Sequence, residues 1–340
     1  MSVSYFKHSH RRSFTQQLLA TVLILVGGSL TASAQTGGLT DVTFSVGSTS
    51  FGYGSLFIAD RAGLFRKHGI NAKMIISDSG NAATTVLIAG SVDFACSGPD
   101  QVLTARARGR DILLVGNLYR GAFGSLAVGP KLVTAAGMNP NKERKIKILE
   151  GRTIATPSAT SAYTAAMQRT AQLMGVNIKY TYMAQPAMAA ALASGAVDGV
   201  LAGSPFSDAA IKASGGKLWL SGPGGDFPEQ VAPASSAVVQ TTAEYAQKNP
   251  KIMAAVLAAF ADLATMIKSN PAEAKAAFRA FYKDADPSLI DPIFEQNGPA
   301  WTAFSFSEAD VKREIALLAA QRPNDGFEKL DITKVVYRPR

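Results

Sequence analysis

The sequence predicts an α/β protein with two similar lobes, and an internal repeat is the main reason. Thr85–Pro99 reads TVLIAGSVDFACSGP, and Ala190–Pro205 reads AALASGAVDGVLAGSP. Each copy has the pattern of a helix end, a glycine stop, a short apolar strand and a loop of small residues. Glycine ends helices and an apolar run fits a covered sheet, so this pattern is half of an α/β crossover unit. Two copies therefore predict two α/β lobes.

The two copies correspond at matching positions, each displaced by 105 residues (Gly90 to Gly195). The residues Leu87, Gly90, Val92, Asp93 and Gly98 recur as Leu192, Gly195, Val197, Asp198 and Gly203. Chance repetition of a common helix-to-strand junction is the alternative, although the flanking segments correspond as well. At such junctions a carboxylate usually binds backbone amides, so we predict a structural role for both aspartates.

Length and composition fit an exported protein with two domains. A chain of 340 residues exceeds what one core usually spans, and 47% hydrophobic with 17% charged residues is an ordinary globular composition. Lys7, Arg11 and Arg12 precede an apolar run at Leu18–Leu30 that is short for a membrane span, and an Ala-x-Ala site ends at Ala34. We predict an export signal cleaved after Ala34, and an RRSF sequence leaves the twin-arginine route open.

Charge and rare residue types exclude several functions. The net charge of +9 is scattered and no basic run alternates with aromatic residues, so we predict no nucleic-acid binding. His8 and His10 lie in the export segment, which leaves His68 and the single Cys96. This set gives no Ser/His/Asp or Cys/His arrangement and no metal cluster with His or Cys ligands. We predict no enzyme, no catalytic residue, no metal and no cofactor, although paired carboxylates remain conceivable. Cys96 is predicted to be a buried core thiol.

The first lobe is predicted from alternating strand and helix patterns. Its strands are expected at Val42–Val46, Ala72–Ser77, Phe94–Cys96 and Ile112–Tyr119, with helices at Leu56–His68, from Ser79–Asn81 to Ala89, and at Asp100–Ala107. The loop Gly47–Ser55 is rich in glycine and hydroxyl groups. It either meets a ligand or forms a flexible turn.

The second lobe and a helical tail follow. Strands are expected at Ser125–Val128, Gly151–Ala155, Ile178–Tyr182, Val200–Ala202, Leu218–Leu220 and Ser236–Thr241, with helices at Ala162–Met174, at Pro186–Ser194 and up to Ser214. We expect lobe 1 to comprise residues 39–123 and 242–340, and lobe 2 residues 124–241. After Thr242 the helices succeed one another, and Trp301, Phe304 and Phe306 are predicted to pack this tail onto the first lobe.

Two polar helix starts form the predicted binding site. Ser79–Asn81 and the loop Thr156–Ser161 each follow a strand and open a helix. A helix N-terminus offers free N–H groups and a partial positive charge, so two of them facing one cleft would hold an anion. The alternative is that these hydroxyls only cap their helices.

These motifs, in this order and behind an export signal, resemble the nitrate/sulfonate/taurine-type solute-binding proteins of ABC importers. The resemblance covers Val42 to about Asn270. The motifs that carry it are Ala59-Asp60-Arg61-Ala62-Gly63-Leu64-Phe65 before Gly69, Ser79-Gly80-Asn81, Leu87-x-x-Gly90-Ser91-Val92-Asp93-Phe94, Thr156-Pro157-Ser158 with Thr160-Ser161, and Ala191-Leu192-x-x-Gly195-x-Val197-Asp198.

The resemblance implies a type II periplasmic-binding-protein fold, in which two α/β lobes joined by two crossing segments hold one small anion. The family's ligand-binding positions map to Ser50, Phe51, Tyr53, Ser79, Gly80, Asn81, Ser97, Tyr119, Arg120, Thr156, Ser158, Thr160, Ser161, Ser204 and Phe206. Arg120 is the expected charged partner of a sulfonate or carboxylate, since a guanidinium engages two oxygens, and a solvated linker charge is the alternative. The aromatic residues of the set either stack on a ligand or belong to the lobe cores.

The resemblance also implies partners and a location. We expect a monomer in the periplasm that binds a sulfonate-, carboxylate- or nitrate-like solute and docks peripherally on an ABC transporter permease. An exported enzyme using the same cleft and a ligand-sensing module are the alternatives. Relatives with this fold that make a thiamine pyrimidine precursor use a cysteine-rich segment and a histidine, which this sequence lacks. A pyrimidine-binding relative stays open.

Overall fold

A computed structural model of the chain describes residues 38–339 except Met138, Thr160 and Asp286. The predicted export signal, residues 1–34, and the predicted site residue Thr160 lie outside the described residues. The strands are β1 (Thr40–Val46), β2 (Ile70–Ile76), β3 (Phe94–Ser97), β4 (Ile112–Arg120), β5 (Ser125–Val128), β6 (Thr153–Thr156), β7 (Lys179–Tyr182), β8 (Gly199–Ala202), β9 (Lys217–Leu220) and β10 (Ser235–Thr242).

Helices follow most of these strands. They are α1 (Gly54–Arg61), α2 (Leu64–Lys67), α3 (Gly80–Ile88), α4 (Pro99–Ala107), α5 (Pro130–Ala136), α6 (Lys142–Lys147), α7 (Ala162–Leu173), α8 (Gln185–Ala193), α9 (Phe206–Ser214), α10 (Ala243–Lys248), α11 (Pro250–Ser269), α12 (Pro271–Phe281), α13 (Pro287–Trp301) and α14 (Glu308–Gln321). Short 3-10 turns lie at Phe51–Tyr53, Phe327–Lys329 and Ile332–Lys334.

The strands form two five-stranded sheets with the same arrangement. The first sheet has the order β2-β1-β3-β10-β4, and the second has the order β7-β6-β8-β5-β9. In the first, β1 is parallel to β2 and β3, while β10 is antiparallel to β3 and β4. In the second, β6 is parallel to β7 and β8, while β5 is antiparallel to β8 and β9. The predicted fold class of two α/β lobes with a helical tail is confirmed.

The antiparallel strand of each sheet lies beside a segment that crosses between the lobes. Residues 121–124 lead from β4 in the first sheet into β5 in the second, and residues 221–234 return from β9 to β10. The strand predicted at Ser236–Thr241, which we expected to close lobe 2, pairs in the first sheet instead. An apolar strand pattern does not specify which of two sheets the strand joins. Because β10 belongs to the first sheet, the chain crosses back to the first lobe before Ser235.

The helix predicted at Leu56–His68 is interrupted in the structure. Gly63 has φ +71°, a left-handed conformation that glycine adopts without strain, and it separates α1 from α2. Both short helices keep the predicted apolar face, since Leu56, Ile58 and Phe65 are buried.

The repeated aspartates, Asp93 and Asp198, form equivalent hydrogen bonds in the two sheets. The backbone N–H and hydroxyl of Thr43 in β1 both donate to Asp93 Oδ2 at 2.7 Å. The backbone N–H of Thr153 in β6 donates to Asp198 Oδ2 at 2.9 Å. Each carboxylate therefore ties a helix-to-strand junction to the neighbouring parallel strand, which confirms the predicted structural role.

Replacing Asp93 with asparagine is expected to lower the free energy of unfolding by about 1–3 kcal/mol, because two hydrogen bonds to a charged acceptor are lost or weakened. Urea denaturation followed by circular dichroism measures the change. Ser91→Ala, at an exposed position of the same junction, is the control. Equal stability of the two variants would contradict the prediction.

The C-terminal aromatic residues pack the tail onto the first lobe, as predicted. The Phe304 ring stacks on Phe260 with centroids 4.2 Å apart, and Gly116 of β4 lies against Phe304. Trp301 is 2% exposed and packs on Phe278 with centroids 5.1 Å apart. Phe306 belongs to a second buried apolar cluster of this lobe. The helical tail therefore completes the first-lobe core.

Candidate ligand-binding cleft

The two lobes meet at the loops that follow their strands. The backbone N–H of Phe51, after β1, donates to the carbonyl of Ser204, after β8, at 2.6 Å. A Cβ built on Gly98, at the start of α4, would lie 3.5 Å from the Cβ of Ala162, at the start of α7. Ligands of open α/β sheets bind beyond the carboxyl ends of the strands. The loops of the two lobes are therefore in contact at the candidate cleft, and we call this arrangement the closed form.

The ring of Phe123, from the first crossing segment, is held between the lobes. A Cβ would lie 2.6 Å from this ring if built on Gly52 and 1.9 Å from it if built on Gly203. The ring is 4% exposed, and its centroid lies 5.0 Å from that of Tyr119 and 6.4 Å from that of Tyr163. Only glycine on each side permits this approach, so the Phe123 ring is packed between residues of both lobes in this form.

The first crossing segment is hydrogen-bonded to β10. The hydroxyl of Ser236 donates to the carbonyl of Gly121 at 2.6 Å and accepts from the backbone N–H of Phe123 at 3.1 Å. The hydroxyl of Ser235 donates to the carbonyl of Tyr119 at 3.0 Å. The backbone N–H of Gly121 also donates to the carbonyl of Ala234, the last residue of the return crossing, at 2.8 Å, so the two crossings are linked.

Side chains of helix α14 form hydrogen bonds with the backbone of the return crossing. Glu314 Oε1 accepts from the backbone N–H of Ala234 at 2.5 Å, and Arg313 Nε donates to the carbonyl of Ala232 at 3.2 Å. Glu314 is 2% exposed, and this burial raises its pKa to about 7. The hinge region thus contains a buried carboxyl group in addition to backbone contacts.

A second buried carboxyl group lies where the two lobes are in contact. It belongs to a group of residues that we name the cleft cluster: Tyr53, Asp100, Tyr163 and Gln185. Asp100, in the first turn of α4, is 3% exposed, and burial raises its pKa to about 7. Burial also raises the pKa of Tyr53 and of Tyr163, and the charge of Asp100 adds to both shifts. Gln185 Oε1 accepts from the backbone N–H of Gly203 at 3.1 Å. Both lobes contribute to the cluster.

A sequence profile described as NMT1/THI5 like matches residues 51–274 of the chain. The chain belongs to the NMT1/THI5-like family. No curated protein matches it. The family assignment agrees with the motifs found in the sequence, most of which lie within the matched residues.

Solved structures share the fold of this NMT1/THI5-like protein. The alkanesulfonate-binding protein SsuA from Xanthomonas axonopodis pv. citri, bound to MOPS, has a TM-score of 0.70 at 17% identity, covering 88% of this chain and 99% of that one. SsuA from Escherichia coli, an aliphatic sulphonate binding protein, has a TM-score of 0.64 at 17% identity, covering 87% and 97%. The nitrate-binding protein NrtA from Synechocystis PCC 6803 has a TM-score of 0.61 at 13% identity, covering 88% and 86%. The predicted periplasmic-binding-protein fold is confirmed.

Several predicted site residues lie where the lobes meet. Gly80 at the start of α3 lies close to Ser97, and a Cβ on Gly80 would be 3.0 Å from the Ser97 Cβ. The hydroxyl of Ser50 accepts from that of Ser48 at 2.9 Å inside the loop after β1. The structure therefore brings together Ser50, Tyr53, Gly80, Ser97 and Ser204 from the predicted set.

The hydroxyls at the two helix starts cap their helices. Ser79 Oγ accepts from the backbone N–H of Ala82 at 3.2 Å, and Ser161 Oγ accepts from that of Thr164 at 3.3 Å. Thr156 shares a hydroxyl contact with the same Thr164. Ser158 Oγ is buried without a hydrogen-bond partner in the described part of the chain. Ser79 and Ser161 therefore cap their helices, which was the alternative interpretation of these residues. A ligand contact by Ser158 stays a prediction.

Three other predicted site residues contact the helical tail. Both terminal nitrogens of Arg120 donate to Asp310 of α14, at 2.9 and 3.1 Å. The hydroxyl of Tyr119 donates to Asn297 Oδ1 at 2.7 Å. The ring of Phe51 is fully buried against the helical tail, with its centroid 4.5 Å from that of Tyr282.

Two further predicted residues lie away from the cluster described above. Asn81 is exposed and lines a groove between α3 and α4. Phe206 packs with the apolar residues of the second lobe.

Replacing Arg120 with alanine is expected to leave solute affinity within about twofold and to lower stability by at most about 1 kcal/mol, because the ion pair with Asp310 is partly exposed. Isothermal titration calorimetry and thermal melting measure the two effects. A tenfold loss of affinity would instead show that Arg120 contacts the solute.

Sequence reasoning missed Asp100, Tyr163, Gln185 and Phe123. Asp100 reads as an ordinary acidic residue in a first helical turn, where it suits the helix dipole. One available signal was position, since Asp100 follows the strand-ending glycine of the first repeat by two residues. The predicted core role of Cys96 is confirmed, because it is fully buried and burial raises the pKa of its thiol.

Proposed function

We propose that this NMT1/THI5-like protein is the periplasmic solute-binding component of an ABC importer. The observation that carries the proposal is the closed cleft, in which loops from both sheets meet around Phe123. A solute bound there contacts both lobes only when the cleft is closed, so binding shifts the hinge equilibrium towards closure. The closed form then docks on a membrane permease and releases the solute.

The solute we propose is a small organic molecule of the sulfonate or carboxylate class. The sulfonate- and nitrate-binding names of the structural neighbours support this class. The helix starts at Gly80, Gly98 and Ala162 support it as well, because their N–H groups favour negatively charged ligand oxygens. After removal of its export signal the protein acts as a monomer in the periplasm and touches the membrane only through the permease.

The test begins with the full-length chain expressed with its own leader. Native mass spectrometry of the purified protein identifies any copurifying solute. Isothermal titration calorimetry then measures binding of sulfonates, carboxylates and pyrimidines, and small-angle X-ray scattering measures closure. We expect one member to bind and to compact the protein without being altered. Binding by none would overturn the proposal, and turnover of a bound solute would favour an exported enzyme.

A further inference from the structure

Asp100 carries a buried oxygen atom that no residue satisfies within the part of the chain that the structure describes. Its Oδ2 accepts from Gln101 Nε2 at 3.2 Å, and its own backbone N–H lowers the pKa of the carboxyl group. Oδ1 has no hydrogen-bond partner among the described residues. The side chain belongs to a residue that is 3% exposed. An unpaired buried polar atom destabilises a fold, and native proteins keep few of them. This oxygen therefore calls for an explanation outside the folding of the lobe.

The two arginines whose charge acts on Asp100 bind other groups. Arg169 Nε donates to the carbonyl of Val231 at 3.1 Å. Arg322 donates to the hydroxyl of Thr104 at 2.9 Å and pairs with Asp325 at 3.3 Å. Both arginines act on Asp100 only through their charge. Among the described residues, the carboxyl group is therefore not half of an ion pair.

The unpaired oxygen lies at the junction of the two lobes. A Cβ built on Gly98 would be 2.3 Å from Asp100 Oδ1, and the same Cβ would be 3.5 Å from Ala162 of α7. The charge of Asp100 raises the pKa of Tyr53, which follows β1, and the pKa of Tyr163 in α7. A molecule held between the starts of α4 and α7 would reach this oxygen.

We propose that Asp100 Oδ1 accepts a hydrogen bond from a nitrogen of the bound solute, so that the cleft selects a solute with an amino or amidine N–H group. The inference rests on the proposed function and narrows its solute class. An N–H donor satisfies the buried oxygen, and a protonated nitrogen also offsets its charge. A simple anion at the same place meets a carboxyl group and leaves that oxygen unpaired.

Matched probe pairs test the proposal on the mature, full chain. The first pair is 3-aminopropane-1-sulfonate and propane-1-sulfonate, and the second is 4-aminobutyrate and butyrate. By calorimetry, the unmodified protein is expected to bind the amino member of at least one pair roughly tenfold or more tightly, the usual effect of a hydrogen bond to a charged group. Asp100→Asn is expected to lose this preference. Asp60→Asn, at a partly buried carboxyl group on α1, is expected to keep it.

The pH dependence of affinity separates an accepting from a donating carboxyl group. The titratable and charged groups that face Asp100 are Tyr53, Tyr163, Arg169, Glu314 and Arg322. Affinity for the amino probe is expected to rise from pH 6 to pH 8, as Asp100 becomes ionised. Glu314 titrates in the same range, so the Asp100→Asn profile is the reference that isolates Asp100. An affinity that falls with pH would show a protonated Asp100 donating to an anion, and would overturn the proposal.

The remaining outcomes separate the inference from the proposed function. If the unmodified protein binds both members of each pair equally and closes on them, the proposed function stands and the inference fails. If Asp100→Asn melts at a lower temperature and loses both members equally, Asp100 is structural and the inference fails. If nothing copurifies and no probe binds, the proposed function fails and the inference fails with it. Asp100→Asn is expected to melt no lower than the unmodified protein, because it replaces a buried ionisable group with a neutral group of the same size.

Discussion

Replacing Gly203 with alanine is expected to prevent full closure of the cleft and to weaken solute binding by roughly ten- to a hundredfold. A Cβ at this position would lie 1.9 Å from the ring of Phe123. Extra volume in a packed contact costs about 1–3 kcal/mol, and the closed form contains this contact. Small-angle X-ray scattering measures closure and isothermal titration calorimetry measures affinity, both with the copurifying solute.

The matched control is Gly129→Ala in the second lobe. A Cβ on Gly129 would lie 3.6 Å from Leu192, which is an ordinary contact distance, so closure and affinity are expected to stay unchanged. Adding Phe123→Leu to the Gly203→Ala variant removes part of the obstructing ring and is expected to restore closure. A Gly203→Ala protein that closes and binds like the unmodified chain would show that Phe123 is not clamped.

The ligand-free protein is expected to lose stability as the pH rises from 5 to 8. Burial raises the pKa of Asp100 and that of Glu314 to about 7, well above their values in an unfolded chain. The folded state therefore holds protons that the unfolded state releases. This contribution is complete below the unfolded pKa and is lost as the pH passes through the folded pKa. Each carboxyl group contributes a slope of up to about 1.4 kcal/mol per pH unit.

Urea denaturation at several pH values measures this slope. Arg169 and Arg322 lower the pKa of Asp100 and therefore reduce the effect without reversing it. Asp100→Asn and Glu314→Gln are each expected to remove part of the slope. Glu244→Gln, at an exposed carboxyl group paired with a lysine, serves as the control. Stability that increases between pH 5 and pH 8 would refute the prediction.

The repeated helix-to-strand junction was the most informative part of the sequence. Glycine stops, apolar strands and the two aspartates depend on neighbours in the chain, and local rules therefore predicted them correctly. The same holds for Ser125–Val128, whose predicted bounds agree with β5. The contacts of Asp93 and Asp198 followed from position alone, because a junction carboxylate has backbone amides within reach.

The cleft cluster was not predictable in this way. Asp100, Tyr163 and Gln185 come from three separate helix starts, and their proximity depends on how one lobe closes on the other. Arg120 illustrates the opposite difficulty. Its position beside a crossing segment suggested a ligand contact, but a residue 190 positions later, Asp310, accepts both of its terminal nitrogens. Long-range partners of this kind leave no local pattern.

The attachment of α14 to the return crossing has a consequence for variation within the family. Glu314 and Arg313 bind the backbone of that crossing from outside, and neither residue belongs to the cleft cluster. Substitutions in this helix can therefore change the resting proportion of open and closed molecules without replacing any residue of the cleft cluster. Relatives with identical cleft residues can then differ in apparent affinity, since a less populated receptive form weakens binding in proportion.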